Sequence, residues 1–333
     1  FQFILASIFI FHFVECLCND ADQQCSLKKQ FKPHAFLTAP FTAFLANGSL
    51  NLDQSLIEKQ AMFNAKCGST IFWICGSFSQ FDTMTMRERK QVAEMWIPAA
   101  KKAGVFAIIH IGATSIAESR ELAQHAEANG ADAIAAVPPF YEKPNSNEDL
   151  INTMAAIASA SKLPFYYYHI PGLTGVKLPM YPFFLEAPTK IPTLAGVKYV
   201  DSTMDDYLHC QRNLGKKFNF MFAPEPKLAG IGLGAESFVV AESYLTPWTK
   251  RMAQFALLEN NLTAAIEEDY IRNEIAAGTH IGGPSFHKFI LEFYGIELGP
   301  NRLPRLNSSP AQKVALKKYL DSTTFFQDGC HWP

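Results

Sequence analysis

Short apolar runs alternate with longer stretches in which apolar residues recur every three or four positions. The runs are His34–Pro40, Thr70–Cys75, Val105–Ile111, Ala131–Val137, Leu163–Tyr168, Leu194–Val200, Phe218–Phe222 and Ser237–Ala241. Brief runs of this kind, bounded by glycine or proline, read as strands buried on both faces, the habit of parallel sheets. Between them, Leu52–Ala65, Thr85–Ala103, Ser115–Ala128 and Asn147–Ala160 carry helical periodicity. In Thr85–Ala103 the residues Met86, Val92, Ala93, Trp96 and Ile97 share one apolar side. Gly130 is placed to stop the helix before it. From Lys250 to Leu320 the pattern reads as further helices. Eight strand–helix units in about 210 residues predict an α/β chain folded as a (β/α)8 TIM barrel. The barrel would span 34–249, with additional C-terminal helices in 250–333. A doubly wound open sheet shares this alternation. No Gly-x-Gly-x-x-Gly follows the first run, so nothing points to a dinucleotide.

A barrel gathers its active site at the C-terminal ends of its strands. That rule brings together Ser77, Tyr141, Tyr168, Lys198 and Glu225 from separate parts of the chain. The run around Lys198 is the most informative. Leu194, Ala195, Val197 and Val200 would bury it, and Gly196 would let a neighbour approach closely. Burial lowers a lysine pKa because desolvation disfavours the ammonium. The resulting amine is a nucleophile able to form a Schiff base with a carbonyl compound. The other reading is a lysine that snorkels to the strand end and pairs with Asp201 or Asp205. Placement at a barrel mouth favours the nucleophile. Tyr168 by itself reads as a core aromatic with a polar tip, and His110 and His169 read as structural.

Composition narrows the classes. The chain has 333 residues, 48% hydrophobic and 18% charged, with a net charge of −2. That is ample material for a large core, and it gives no electrostatic reason to expect nucleic acid or an anionic membrane as partner. Phe1–Val14 is nearly all apolar and is followed by Glu15-Cys-Leu-Cys-Asn-Asp20. It is too short for a membrane span. It reads as the apolar core of a secretory signal ending near Cys18, with 19–33 as a tail, or else as an apolar helix packed on the domain. A signal would make the mature chain secreted, without it cytoplasmic. Asn47-Gly-Ser, Asn261-Leu-Thr and Asn307-Ser-Ser are glycosylation triplets that fit secretion. The cysteines are Cys16, Cys18, Cys25, Cys67, Cys75, Cys210 and Cys330. Their spacing fits no zinc module. Cys75 reads as core, and a Cys25–Cys330 tie between the tails is one pairing an oxidising compartment would allow.

Several stretches together resemble the N-acetylneuraminate lyase branch of the pyruvate-dependent class I aldolases, a superfamily that includes dihydrodipicolinate synthase. They are Arg87-Glu-Arg-Lys-Gln-Val-Ala-Glu94, Glu118-Ser-Arg-Glu-Leu-Ala-Gln-His-Ala126, Leu163-Pro-Phe-Tyr-Tyr-Tyr-His-Ile-Pro-Gly-Leu-Thr-Gly-Val-Lys177, Gly196-Val-Lys198 and Gly299-Pro-Asn-Arg-Leu-Pro304. The similarity runs from about residue 35 to residue 320. It implies that Lys198 forms the Schiff base with the keto carbon of pyruvate and that Tyr168 shuttles the proton. It implies that Tyr141 reaches the site of a neighbouring subunit in a homotetramer. It implies a small-molecule 2-keto acid or sialic acid as partner, and neither a metal nor an organic cofactor.

The departures concern recognition. The family's turn after the second strand, Gly-Ser/Thr-Thr-Gly-Glu, holds the pyruvate carboxylate on backbone N–H groups and two hydroxyls. Here the run is Gly76-Ser-Phe-Ser-Gln-Phe81. Ser77 keeps one hydroxyl, Phe78 replaces the other, and Ser79 and Phe81 replace glycines that take positive φ without strain. A lost hydrogen bond to a charged group costs about 1.5–3 kcal/mol. After the seventh strand an Asp-Glu pair is reduced to Glu225-Pro226, and after the eighth Gly-Ser-Thr-Tyr-Asn becomes Val240-Ala-Glu-Ser-Tyr244, placing Glu242 among the substrate-facing residues. The resemblance therefore implies a lyase that splits N-acetylneuraminate or a related 2-keto acid. The altered turn leaves the alternative of a secreted, non-catalytic homologue that binds a carbohydrate or a protein.

Overall fold

A computed structural model describes residues 35–332 of the chain. The N-terminal apolar run, Cys16, Cys18 and Cys25 lie outside the described residues. Eight strands pair in parallel and in sequence order into a closed barrel, with β1 hydrogen-bonded to both β2 and β8. They are β1 Ala35–Thr38, β2 Ile71–Ile74, β3 Phe106–His110, β4 Ala133–Ala136, β5 Phe165–His169, β6 Leu194–Tyr199, β7 Asn219–Phe222 and β8 Ser237–Val239. The helices between them are α1 Gln54–Lys66, α2 Met86–Ala103, α3 Ile116–Ala128, α4 Asn147–Ala158, α5 Met180–Glu186, α6 Met204–Leu214 and α7 Lys227–Gly232. Closure excludes the open sheet and makes the fold a TIM barrel.

Local chemistry sets the boundaries. At α2, the Thr85 hydroxyl accepts from the Glu88 N–H while the Glu88 carboxylate accepts from the Thr85 N–H, a capping box. The same helix stops at Gly104, whose φ of 69° is left-handed. Its buried side, Val92, Ala93, Trp96 and Ile97, packs on the outside of the barrel, with Trp96 edge-on to Phe72 at 5.6 Å. Burying a side chain of this kind contributes about 1.5–3 kcal/mol.

Strand alternation divides the core in two. Outward residues such as Phe72, Ile74 and Val197 join the helices, while Leu37, Ile71, Trp73, Ile108, Ala135, Tyr166, Tyr168, Met221 and Val239 fill the interior. A Cβ on Gly196 would lie 2.0 Å from the Asn219 carbonyl oxygen and 2.9 Å from the Tyr166 ring, so only glycine lets β6 and β7 close over that tyrosine. The β5–β6 register shifts at the same place: Phe165 pairs with Leu194 but Tyr166 with Gly196, leaving Ala195 as the extra residue of a bulge. Above the bulge, Tyr168 and Lys198 are direct partners.

The C-terminal part adds α8 Thr246–Leu257, α9 Leu262–Thr279, α10 Phe286–Glu292 and α11 Pro310–Asp321, with α8 packed on α9 and α9 on α11. None of the described helices is long and apolar enough to cross a membrane. Cys330 is bonded not to Cys25 but to Cys67, at the end of α1. Their Cα atoms stand 5.1 Å apart, within the span of a disulfide, and Trp332 seats the tail edge-on against Phe63 at 5.6 Å. Cys75 and Cys210 are free and buried, as core residues would be.

Candidate active site

The site grows from the paired strand ends of β5 and β6. Lys198 points into the barrel and is only 3% exposed. Its Nζ lies 4.6 Å from the centre of the Tyr168 ring and 4.9 Å from that of Trp73. Burial among these rings lowers its pKa to about 7, with Glu242 pulling it back up and Lys227 pushing it further down. Burial therefore favours the free amine over the ammonium. The snorkelling alternative fails on geometry, since Asp201 accepts from the Ser202 N–H and the Thr203 hydroxyl and stands 3.5 Å from His169.

Tyr168 is equally buried. Burial pushes its phenol up to about 12, and a hydrogen bond with the Ser77 hydroxyl offsets part of that rise. Trp73 meets its ring edge-on at 5.2 Å and His110 at 5.7 Å. The His110 Nδ1 donates to the Cys75 carbonyl, and its Nε2 accepts from the Val137 N–H. Burial and the nearby Arg89 keep this imidazole neutral, so it is a strut between strand ends. His169 is held low by burial in the same way.

The turn after β2 carries the differences. Its left-handed residues are Cys75 (φ 58°) and Gln80 (φ 59°), not the glycine-replacing Ser79 and Phe81. Ser79 faces away from the mouth, donating to the Pro40 carbonyl while its own carbonyl accepts from Thr42. Phe78 sits between Phe41 and His287, with ring centres 5.8 and 5.2 Å away. Phe81 packs edge-on against His110 at 4.6 Å, below the Arg89 guanidinium. Both phenylalanines rest on the inner cluster that contains Trp73 and Tyr168. The C-terminal segment 299–308 ties this turn down. Gln80 donates to the Asn301 side chain and accepts from the Arg302 N–H, and Arg305 donates to the Ser77 carbonyl. Arg302 also forms a paired set of hydrogen bonds with Glu88, which holds that carboxyl down at about 2.

The ends of β7 and β8 contribute charge. Glu225 accepts from both terminal nitrogens of Arg272, at 2.7 and 2.8 Å, and pairs with Lys227 at 2.8 Å. Lys227 is 1% exposed, and burial lowers its pKa to about 8. Glu242 keeps 19% side-chain exposure and lies 3.6 Å from the Nδ1 of His287, which shares a hydrogen bond with the Tyr244 hydroxyl at 3.1 Å. Burial pulls the His287 pKa down to about 4.

The structure thus brings Ser77, Phe78, Tyr168, Lys198 and Glu242 to one end of the barrel. Glu225 stands at the neighbouring strand end but is engaged by Arg272 and Lys227. Tyr141 does not join them: it is 84% exposed in the loop after β4. Sequence reasoning missed Trp73, Lys227 and His287. Trp73 was accessible through strand alternation, two positions from Ile71 on the same inward face. Lys227 stands out only as a lone charge heading the apolar run to Ile231. His287 lies outside the strand–helix repeat and gave no local signal. Among the described residues no cluster of three or more His, Cys, Asp or Glu is arranged to hold a metal ion.

Comparison with known proteins follows the same line. Residues 32–323 match the model of the Dihydrodipicolinate synthetase family. The N-acetylneuraminate lyase of Homo sapiens is 34% identical over 291 residues, covering 84% of this chain and 88% of that protein. That of Gallus gallus is 30% identical over 304 residues, covering 87% and 96%. The solved N-acetylneuraminate lyase (sialic acid aldolase) of Aliivibrio salmonicida superposes with a TM-score of 0.81 at 27% identity, covering 89% of this chain and 98% of that one. With a matching family model over most of its length and a buried lysine at the end of β6, this chain belongs to the dihydrodipicolinate synthetase family.

Proposed function

We propose that the chain is a Schiff-base aldolase of the N-acetylneuraminate lyase type, cleaving N-acetylneuraminate to pyruvate and N-acetylmannosamine or acting on a related 2-keto acid. One observation carries this reading: a fully buried Lys198 amine, with its pKa near 7, in register with Tyr168. The free amine adds to the keto carbon, water leaves, and the protonated imine becomes an electron sink. Electrons from the bond beyond the adjacent carbon then flow into it, releasing an aldehyde. The Tyr168 ring lies 4.6 Å from the nitrogen and its hydroxyl meets Ser77, which gives the site a route for proton exchange. Incubation with pyruvate, reduction with borohydride and mass spectrometry should place an adduct on Lys198. Its absence at saturating pyruvate would overturn the reading.

A second reading rests on Phe78 and Phe81, which pack against the inner cluster from the turn that the resemblance assigns to carboxylate binding. In this reading the chain is a non-catalytic barrel that binds a carbohydrate or a protein, and ligand binding survives Lys198→Ala. A measured lyase activity abolished by that substitution would rule it out.

Secretion and a homotetrameric assembly belong to the same proposal. The Cys67–Cys330 bond suits an oxidising compartment, and Asn47, Asn261 and Asn307 are all exposed. The projecting Tyr141 supports contact with a neighbouring subunit. Sedimentation of the purified chain and its recovery from culture medium or cell lysate test these two points.

A further inference from the structure

Cleavage on Lys198 requires a group to take the proton from the substrate's hydroxyl. The turn after β2 is poorly equipped for this. Tyr168 meets Ser77, and the next side chain is Phe78, which carries no proton. Glu225 is saturated by Arg272 and Lys227. At the end of β8, however, a carboxylate stands ready. Glu242 is part-exposed and is the acidic group whose field acts most strongly on the Lys198 amine. The ring of His287, fixed by Tyr244, Phe41 and Phe78, bounds it on one side. Lys198, Lys227, His287 and Tyr244 are the titratable groups that feel its charge, with His287 3.6 Å away. His287 itself is a poor candidate, since its Nδ1 is shared with Tyr244 and burial keeps it a weak base.

We propose that Glu242 is a catalytic residue, the acceptor of the hydroxyl proton in the carbon–carbon bond-breaking step on Lys198. The proposal rests on the Schiff-base reading above. The substrate is a keto acid with a hydroxyl on the second carbon beyond the imine carbon. That hydroxyl gives its proton to the Glu242 carboxylate as its C–O bond becomes a carbonyl. The carbon–carbon bond breaks, and its electron pair neutralises the iminium as an enamine. An aldehyde departs. The terminal carbon of the enamine then takes up a proton, and water hydrolyses the iminium to free pyruvate and the lysine. In the reverse direction protonated Glu242 donates to the aldehyde oxygen as the enamine attacks. His287 and Tyr244 act as positioning residues.

The test separates imine formation from bond making. Wild type and Glu242→Gln are compared for the borohydride-trapped pyruvate adduct on Lys198, and for pyruvate consumption with N-acetylmannosamine or glyceraldehyde. Glu242→Gln should keep the adduct, which also shows that it folds, and should lose aldehyde addition by about a hundredfold or more, the usual worth of a general acid or base. Glu242→Asp should regain part of the rate of aldehyde addition. Aldehyde addition by Glu242→Gln within about threefold of wild type would overturn the role of Glu242 alone. An adduct without any aldehyde addition by wild type would overturn it too. No wild-type adduct would overturn the aldolase reading itself.

Discussion

The two sides of the barrel mouth are built in different ways. On one, Tyr168 and Lys198 are placed by strand register: they are direct partners across β5 and β6, above a bulge that settles which residues point inward. On the other, the turn after β2 is placed by contacts far away in sequence, through Gln80 to Asn301 and Arg302 and through Arg305 to Ser77. A ladder of backbone hydrogen bonds fixes a side chain whatever its identity. A loop takes the shape that its own residues and its tethers allow. Tyr168 and Lys198 stand on the ladder, and the altered residues of the turn after β2 stand on the loop.

The sharpest test of this division is Lys198→Ala. It should reduce adduct formation to that of an uncatalysed control while leaving the fold intact, because the site's backbone does not depend on the amine. In the unsubstituted chain the rate of adduct formation should climb as pH rises through about 7, since deprotonation releases the nucleophile from an ammonium that burial already disfavours. A rate flat between pH 6 and pH 9 would show that the ladder side is not what sets reactivity.

Tyr168→Phe should lower turnover by about a hundredfold or more. The borohydride-trapped adduct should persist, because imine formation needs the amine more than the phenol. Phe78→Thr addresses the loop. Returning a hydroxyl to the turn should tighten pyruvate binding about tenfold, the low end of a hydrogen bond to a charged group. Titration of the trapped adduct against pyruvate concentration measures it, and an unchanged midpoint would place the carboxylate elsewhere. The smallest expected effect concerns the tether. Glu88 has its carboxyl held at about 2, against 4.5 unperturbed, chiefly by Arg302. Such a group contributes stability above the unfolded value and loses it as pH falls through the folded one. Melting temperature should therefore drop as pH goes from about 4.5 to about 2, and Arg302→Ala should flatten that part of the curve.

Legibility followed the same division. Seven of the eight strands lie within the apolar run that suggested them, and β5 runs one residue further to His169, because burial on both faces leaves a continuous local signature. Gly130 was visible as a helix stop because caps are local chemistry. Tyr168 and Lys198 could be placed at one mouth because strand ends are what a barrel collects. The turn could not be drawn in advance: its left-handed residues are Cys75 and Gln80, which tertiary contacts impose on side chains that do not favour that region. His287 arrives from a helix outside the repeat. Cys330 found Cys67 rather than Cys25 because pairing depends on how the tail is seated against α1, which no spacing records.

That bond has a topological consequence. With Cys67 joined to Cys330, the backbone between them is a covalent ring that holds seven of the eight strands. The loop at Asn129 and Gly130 is an exposed place for a protease to cut. One such cut would open the ring without dividing the molecule, so the nicked chain would migrate as a single species until a reductant was added. Damage at the rim would then leave both halves of the barrel covalently attached to each other.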